Sequence, residues 1–111
     1  MWYENLEPVN VNIDIEIGRD YMFSITFPEE IDITNLEFKS QIRDKQNNLI
    51  SDLVIEKDVE NNEITLTVPA DDTKDIPLGK YNYDIITTDP VVTILKGYFN
   101  FSLSITRIED V

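Results

Sequence analysis

The sequence predicts an all-β sandwich of about seven antiparallel strands, with one short helical turn near residues 71–76. Three observations carry this reading. Apolar and polar residues alternate with a period of two over most of the chain, Pro, Asn, Asp and Gly cluster at short intervals between the alternating runs, and no stretch shows the spacing of an amphipathic helix. At 111 residues the chain is one domain by length. A chain of this size buries roughly two thirds of the surface its unfolded state exposes, so it can fold alone. Residues 1–8 read as an N-terminal arm and 9–111 as a single domain, without an internal repeat or a dividing linker.

Each element follows from local pattern. Val9, Val11, Ile13, Ile15 and Ile17 alternate with Asn10, Asn12, Asp14 and Glu16, which predicts one long half-buried strand. Tyr21, Phe23, Ile25 and Phe27 alternate with Met22, Ser24 and Thr26 in a second strand that stops at Pro28, which has no N–H to give to a ladder. Leu36, Phe38, Ser40 and Ile42 form a third, ended by the turn-rich Asp44–Asn48. Residues 49–58 and 63–68 form a hairpin around Glu60, Asn61 and Asn62, with Ile64, Leu66 and Val68 inward and Thr65 and Thr67 outward. Between Pro69 and Gly79 the alternation breaks. Asp at N-cap positions and a Pro-Leu-Gly exit suit a single helical turn. A crossover followed at once by an aromatic strand is where immunoglobulin-like sandwiches carry a tyrosine corner, and Tyr81 or Tyr83 is the candidate; the alternative is that both are ordinary packing residues.

The segment from Gly79 to Arg107 reads as one long hairpin, with Tyr81, Tyr83, Ile85 and Thr87 on one face, a turn at Thr87–Thr93, then an apolar patch ending in Gly97 and a second alternating strand. Its Tyr81, Tyr83, Asp84, Asp89, Pro90, Leu95, Gly97, Thr106 and Arg107, in that order, resemble the closing hairpin of small immunoglobulin-like β-sandwich modules in virion proteins of tailed bacteriophages. The upstream half agrees more loosely, and the resemblance covers residues 19–107. It implies an immunoglobulin-like sandwich and a structural place in the neck, tail or baseplate of a virion, made in the host cytoplasm.

Composition narrows the chemistry. With 22 acidic against 9 basic residues the net charge is -13, and Arg19, Arg43 and Arg107 are far apart in sequence, which argues against nucleic acid and anionic membranes as partners. No apolar run approaches the roughly 20 residues of a membrane span, and the first ten residues lack the basic start and apolar core of a signal peptide. The Asn100-Phe101-Ser102 sequon therefore has no secretory context. Cys and His are both absent, which removes disulfides, thiolate sites, the commonest zinc ligand and the usual neutral-pH base. No phosphate loop, serine elbow or triad can be written, so the expected class is non-enzymatic, with no cofactor.

Acidic clusters are the remaining site candidates. Asn12, Asp14, Glu16 and Gly18 nearly imitate a calcium loop, but the glycine is one place late and Phe23 stands where the bidentate Glu belongs. Asp71, Asp72 and Asp75, and Glu56, Asp58 and Glu60, read as solvated surface, so no metal site is expected. For interfaces the candidates are Trp2 and Tyr3, aromatics with no place in the first strand's alternation, and Asp14 and Glu16 on its outer edge. Three function classes follow: a virion adaptor that contacts other virion proteins and itself in a ring; an acidic inhibitor that mimics nucleic acid; and a carbohydrate-binding sandwich. The third is disfavoured because the aromatics mostly sit in inward phase and leave no evident exposed platform.

Overall fold

The computed structural model describes residues 7–103. Within them run β1 (Val9–Asn10), β2 (Ile13–Glu16), β3 (Tyr21–Thr26), β4 (Phe38–Arg43), β5 (Leu49–Asp58), β6 (Glu63–Val68), α1 (Ala70–Thr73), β7 (Gly79–Thr88) and β8 (Val91–Ser102). A front layer joins β1 and β2 to β8, then β7, β4 and the first half of β5; the back layer holds the second half of β5, then β6 and β3. Strand β5 serves both: Ser51, Asp52 and Leu53 pair with β4, and Val54 to Asp58 pair with β6.

The alternation read from the sequence becomes the core. Tyr81, Tyr83, Ile85, Phe99 and Phe101 from the front layer meet Ile64, Leu66 and Val68 from the back, all buried. Tyr83 stacks on Phe99 with ring centroids 3.9 Å apart, and Phe23 of the back layer meets the Tyr83 ring edge-on. Each such aromatic contributes on the order of 2–3 kcal/mol by burial. The 49–58/63–68 hairpin forms as expected, and Tyr81 is the corner residue: its Oη donates to the Pro77 carbonyl at 2.7 Å, across the crossover that follows α1.

The first expected strand differs. Instead of one run over Val9–Ile17 there are two pieces, β1 and β2, interrupted at Val11–Asn12, and both run parallel to β8 while every other pairing is antiparallel. Val11 keeps its N–H bonded to the Lys96 carbonyl, but its own carbonyl accepts from Tyr83 Oη at 2.8 Å, so a tertiary bond takes the place of the ladder. Val9 is consequently 58% exposed although its phase predicted burial. The helical turn also begins differently: Pro69 is its N-cap, and the Ala70 N–H donates to Asp20 Oδ1 at 2.7 Å, so the cap comes from the β2–β3 loop and not from a local aspartate.

Two side chains organise the loops. Asn62, at φ 54, sends its Nδ2 to the carbonyls of Phe27, Pro28 and Ile31. Lys57, in phase with Ile55, gives its ammonium to the carbonyls of Ile33, Thr34 and Leu36, matching its three donors to three acceptors of the loop that leads into β4.

Candidate functional site

The strongest concentration of polar chemistry is the outer face of the front layer, where register builds a grid. Gln41 on β4 lies beside Asp84 on β7, which lies beside Lys96 on β8; the next row is Arg43, Asn82 and Tyr98; the row on the other side holds Lys39 and Ile86. Asn10 pairs across from Lys96 and completes the rim with Asn12. These residues line a shallow groove of about 540 Å³.

The floor is pre-arranged. Arg43 donates to the Asn47 carbonyl and to Gln41 Oε1, each at 2.9 Å, and Gln41 donates onward to Asp52 Oδ1 at 2.8 Å. Burial pushes the Asp84 carboxyl above the ordinary carboxylate range, and the Arg43 guanidinium draws it part of the way back. Tyr98 faces this groove, an aromatic in outward phase on a layer whose other aromatics Tyr81, Tyr83, Phe99 and Phe101 point inward. Its ring is covered by the Lys80 ammonium, 4.5 Å from the centroid.

A second feature is the edge. Among the described residues β2 pairs only with β8, which leaves its other side without a strand neighbour. Asp14 is exposed there and accepts from Asn100 Nδ2 at 3.2 Å, while Glu16 Oε2 lies 3.0 Å from Arg19 Nε. Asp14 and Glu16 thus sit on the edge that sequence assigned them, engaged by neighbours of their own chain. Trp2 and Tyr3 lie outside the described residues, as do Thr106 and Arg107. Asp71 lies 4.0 Å from Lys74, Asp58 accepts from Asn61, and among the described residues no three acidic side chains gather as a metal site. The gathering of Lys39, Arg43, Lys80 and Lys96 on one face escaped sequence reading. The signal was present in their even spacing along β4 and β7, but placing β8 against them requires the bulge at Ile85/Ile86.

Tyr83 joins the edge to the core, and its ionisation gives a test. Burial pushes its hydroxyl up to about 12 from an ordinary 10.0. Above pH 10 an unfolded chain releases this proton while the folded one retains it, so stability is expected to fall across pH 10 to 12, by about 2–3 kcal/mol in full. Tyr83→Phe flattens this slope while costing about 1 kcal/mol at neutral pH for the lost bond to Val11. Urea unfolding at pH 9 and pH 11 measures both; equal slopes in the two proteins would show that Tyr83 is not the responsible group.

No protein-family model matches the chain, and no curated protein shows significant similarity to it. Solved structures do. CopC from Methylosinus trichosporium OB3b aligns over 86% of this chain and 88% of its own, with 14% identity and a TM-score of 0.53. The extracellular domain of the voltage-gated sodium channel β4 subunit, whose parallel homodimers explain a role in cell–cell adhesion, aligns over 89% of this chain and 90% of its own, with 12% identity and a TM-score of 0.54. At this level of identity the likeness is one of architecture, and with the tyrosine corner and the two-layer strand order it makes the chain an immunoglobulin-like β-sandwich.

Proposed function

We propose that this chain is a non-enzymatic structural or adaptor subunit of a tailed-phage virion, placed in the neck, tail or baseplate and acting through contacts with other virion proteins. The observation that carries the reading is the side of β2 that no strand covers among the described residues: the Glu16 N–H there is taken by Tyr21 Oη at 3.2 Å, and the remaining backbone donors and acceptors are offered to a neighbouring strand while Asp14 discourages indiscriminate pairing. The closing-hairpin resemblance supplies the setting. A partner with positive surface suits this edge, since the -13 charge keeps isolated copies apart and rewards a complementary neighbour.

A tagged copy produced during infection tests this. Purified particles should contain the chain at fixed stoichiometry, and Asp14→Lys should lower incorporation about tenfold, the equivalent of about 1.4 kcal/mol of contact energy, with an unchanged melting transition. Removing residues 1–8, with Trp2 and Tyr3, should abolish incorporation. Absence from particles would sink the proposal. Recovery with a host nuclease instead would favour the acidic inhibitor, to which the back-layer face bearing Glu56, Asp58 and Glu63 lends itself.

A further inference from the structure

The outer faces of the two layers differ in sign. In and beside the groove the front face carries Lys39, Arg43, Lys80 and Lys96; of the front-layer acids, Asp52 is engaged by Gln41, Asp84 is half-buried beside Arg43 and Lys96, and Asp14 and Glu16 stand apart on the outer strand β2, engaged by Asn100 and Arg19. The back face presents Glu56, Asp58 and Glu63 and, among the described residues of β3, β5 and β6, no outward cation, because Lys57 is turned into the loop carbonyls on the inner side. In a chain with 22 acidic and 9 basic residues, so local a positive surface needs a reason.

The two faces also match in layout. On the back, Met22 and Val54, 66% and 50% exposed, occupy one end; Glu56 follows in the next row, and Asp58 and Glu63 in the row beyond. On the front, Ile86 occupies one end, Lys96 the next row and Arg43 the row beyond, with Lys80 further along. Side chains on one face of a strand recur about every 7 Å in both layers. Setting the Met22–Thr67–Val54 row over the Ile86 row, with β5 above β8, therefore brings Glu56 to Lys96 and Glu63 over Asn82, between Arg43 in its own row and Lys80 in the next.

We infer that the front face of one copy receives the back face of a second copy of this chain. Because the two patches differ, the contact is heterologous and propagates, closing into a ring or continuing as a stack according to its rotation. The inference deepens the adaptor reading and rests on it only for its setting in a particle; the contact itself is a property of the purified protein. Repulsion between strongly acidic copies confines it to high local concentration.

The test uses a front-reversed variant, Lys80→Glu with Lys96→Glu, and a back-reversed variant, Glu56→Lys with Glu63→Lys. In sedimentation velocity at concentrations approaching millimolar, the wild-type protein should associate and each variant alone should remain monomeric. An equimolar mixture should associate about tenfold more tightly than either variant alone, since the acidic front of one then meets the basic back of the other. Both variants remain net negative, so overall charge attraction cannot explain that recovery. A mixture that stays monomeric, or a single variant that associates like the wild type, overturns the stack and leaves the particle-incorporation result untouched.

Discussion

Gly97→Ala is expected to destabilise the protein by about 3 kcal/mol or more, the upper range for overpacking. A Cβ at Gly97 would overlap the Val11 carbonyl oxygen and lie 2.7 Å from its carbon and 2.9 Å from Asn12 Oδ1. The obstacle is backbone fixed from several sides: the Val11 N–H bonds the Lys96 carbonyl, the Val11 carbonyl accepts from Tyr83, and Asn12 Oδ1 accepts from the Tyr98 N–H. The added methyl can be housed only by lifting the Val11–Asn12 link off β8. Hydrogen exchange should accordingly show lost protection at the Val11 and Tyr98 amides while the β3–β6 ladder stays protected. Gly18→Ala provides the contrast, since no atom lies within 4 Å and only its φ of +83 is strained, at about 1–2 kcal/mol. Equal losses at the two glycines would mean that the crossing at Gly97 is not close.

Phe99→Ala is expected to cost about 3–5 kcal/mol, the range for emptying a buried aromatic site. Phe99 is 0% exposed, stacked on Tyr83 and edge-on to Phe101 at 6.0 Å. Its loss removes the surface against which Tyr83 is held, and with it the geometry that ties Val11. Phe99→Leu should retain more than half of the lost stability because it refills most of the volume. Urea titration at constant m-value measures both, and a loss under about 2 kcal/mol for the alanine variant would place Phe99 outside the centre of the core.

What was legible in the sequence was whatever depends on neighbours a few residues away. Tyr81, Tyr83, Ile85 and Thr87 declare their shared face by alternation, and all are buried. The Glu60–Asn62 turn and the Pro69–Gly79 break declare the hairpin and the crossover, and the latter placed the corner at Tyr81 or Tyr83. Features built from distant partners were not legible. The interruption of the first strand depends on Tyr83, 72 residues from Val11, and its parallel pairing depends on which side of β8 remains open. The role of Lys57 depends on the loop carbonyls of Ile33, Thr34 and Leu36, more than twenty residues away in sequence. The candidate site belongs to the same class, because Lys39, Arg43, Lys80 and Lys96 become one surface only through the register of three strands.

The parallel seam between β2 and β8 has a mechanical meaning. These strands lie near the two ends of the described chain and run in the same direction, paired from Ile13 with Phe99 to Glu16 with Ser102. Tension drawing the two ends apart slides one strand along the other, so the seam's hydrogen bonds share the strain and must break together. In an antiparallel closing pair the same tension would peel them open one at a time. Resistance to pulling is set by the unfolding barrier and not by equilibrium stability, so this short, marginally buried edge gives the molecule strength along its own axis out of proportion to the area it covers.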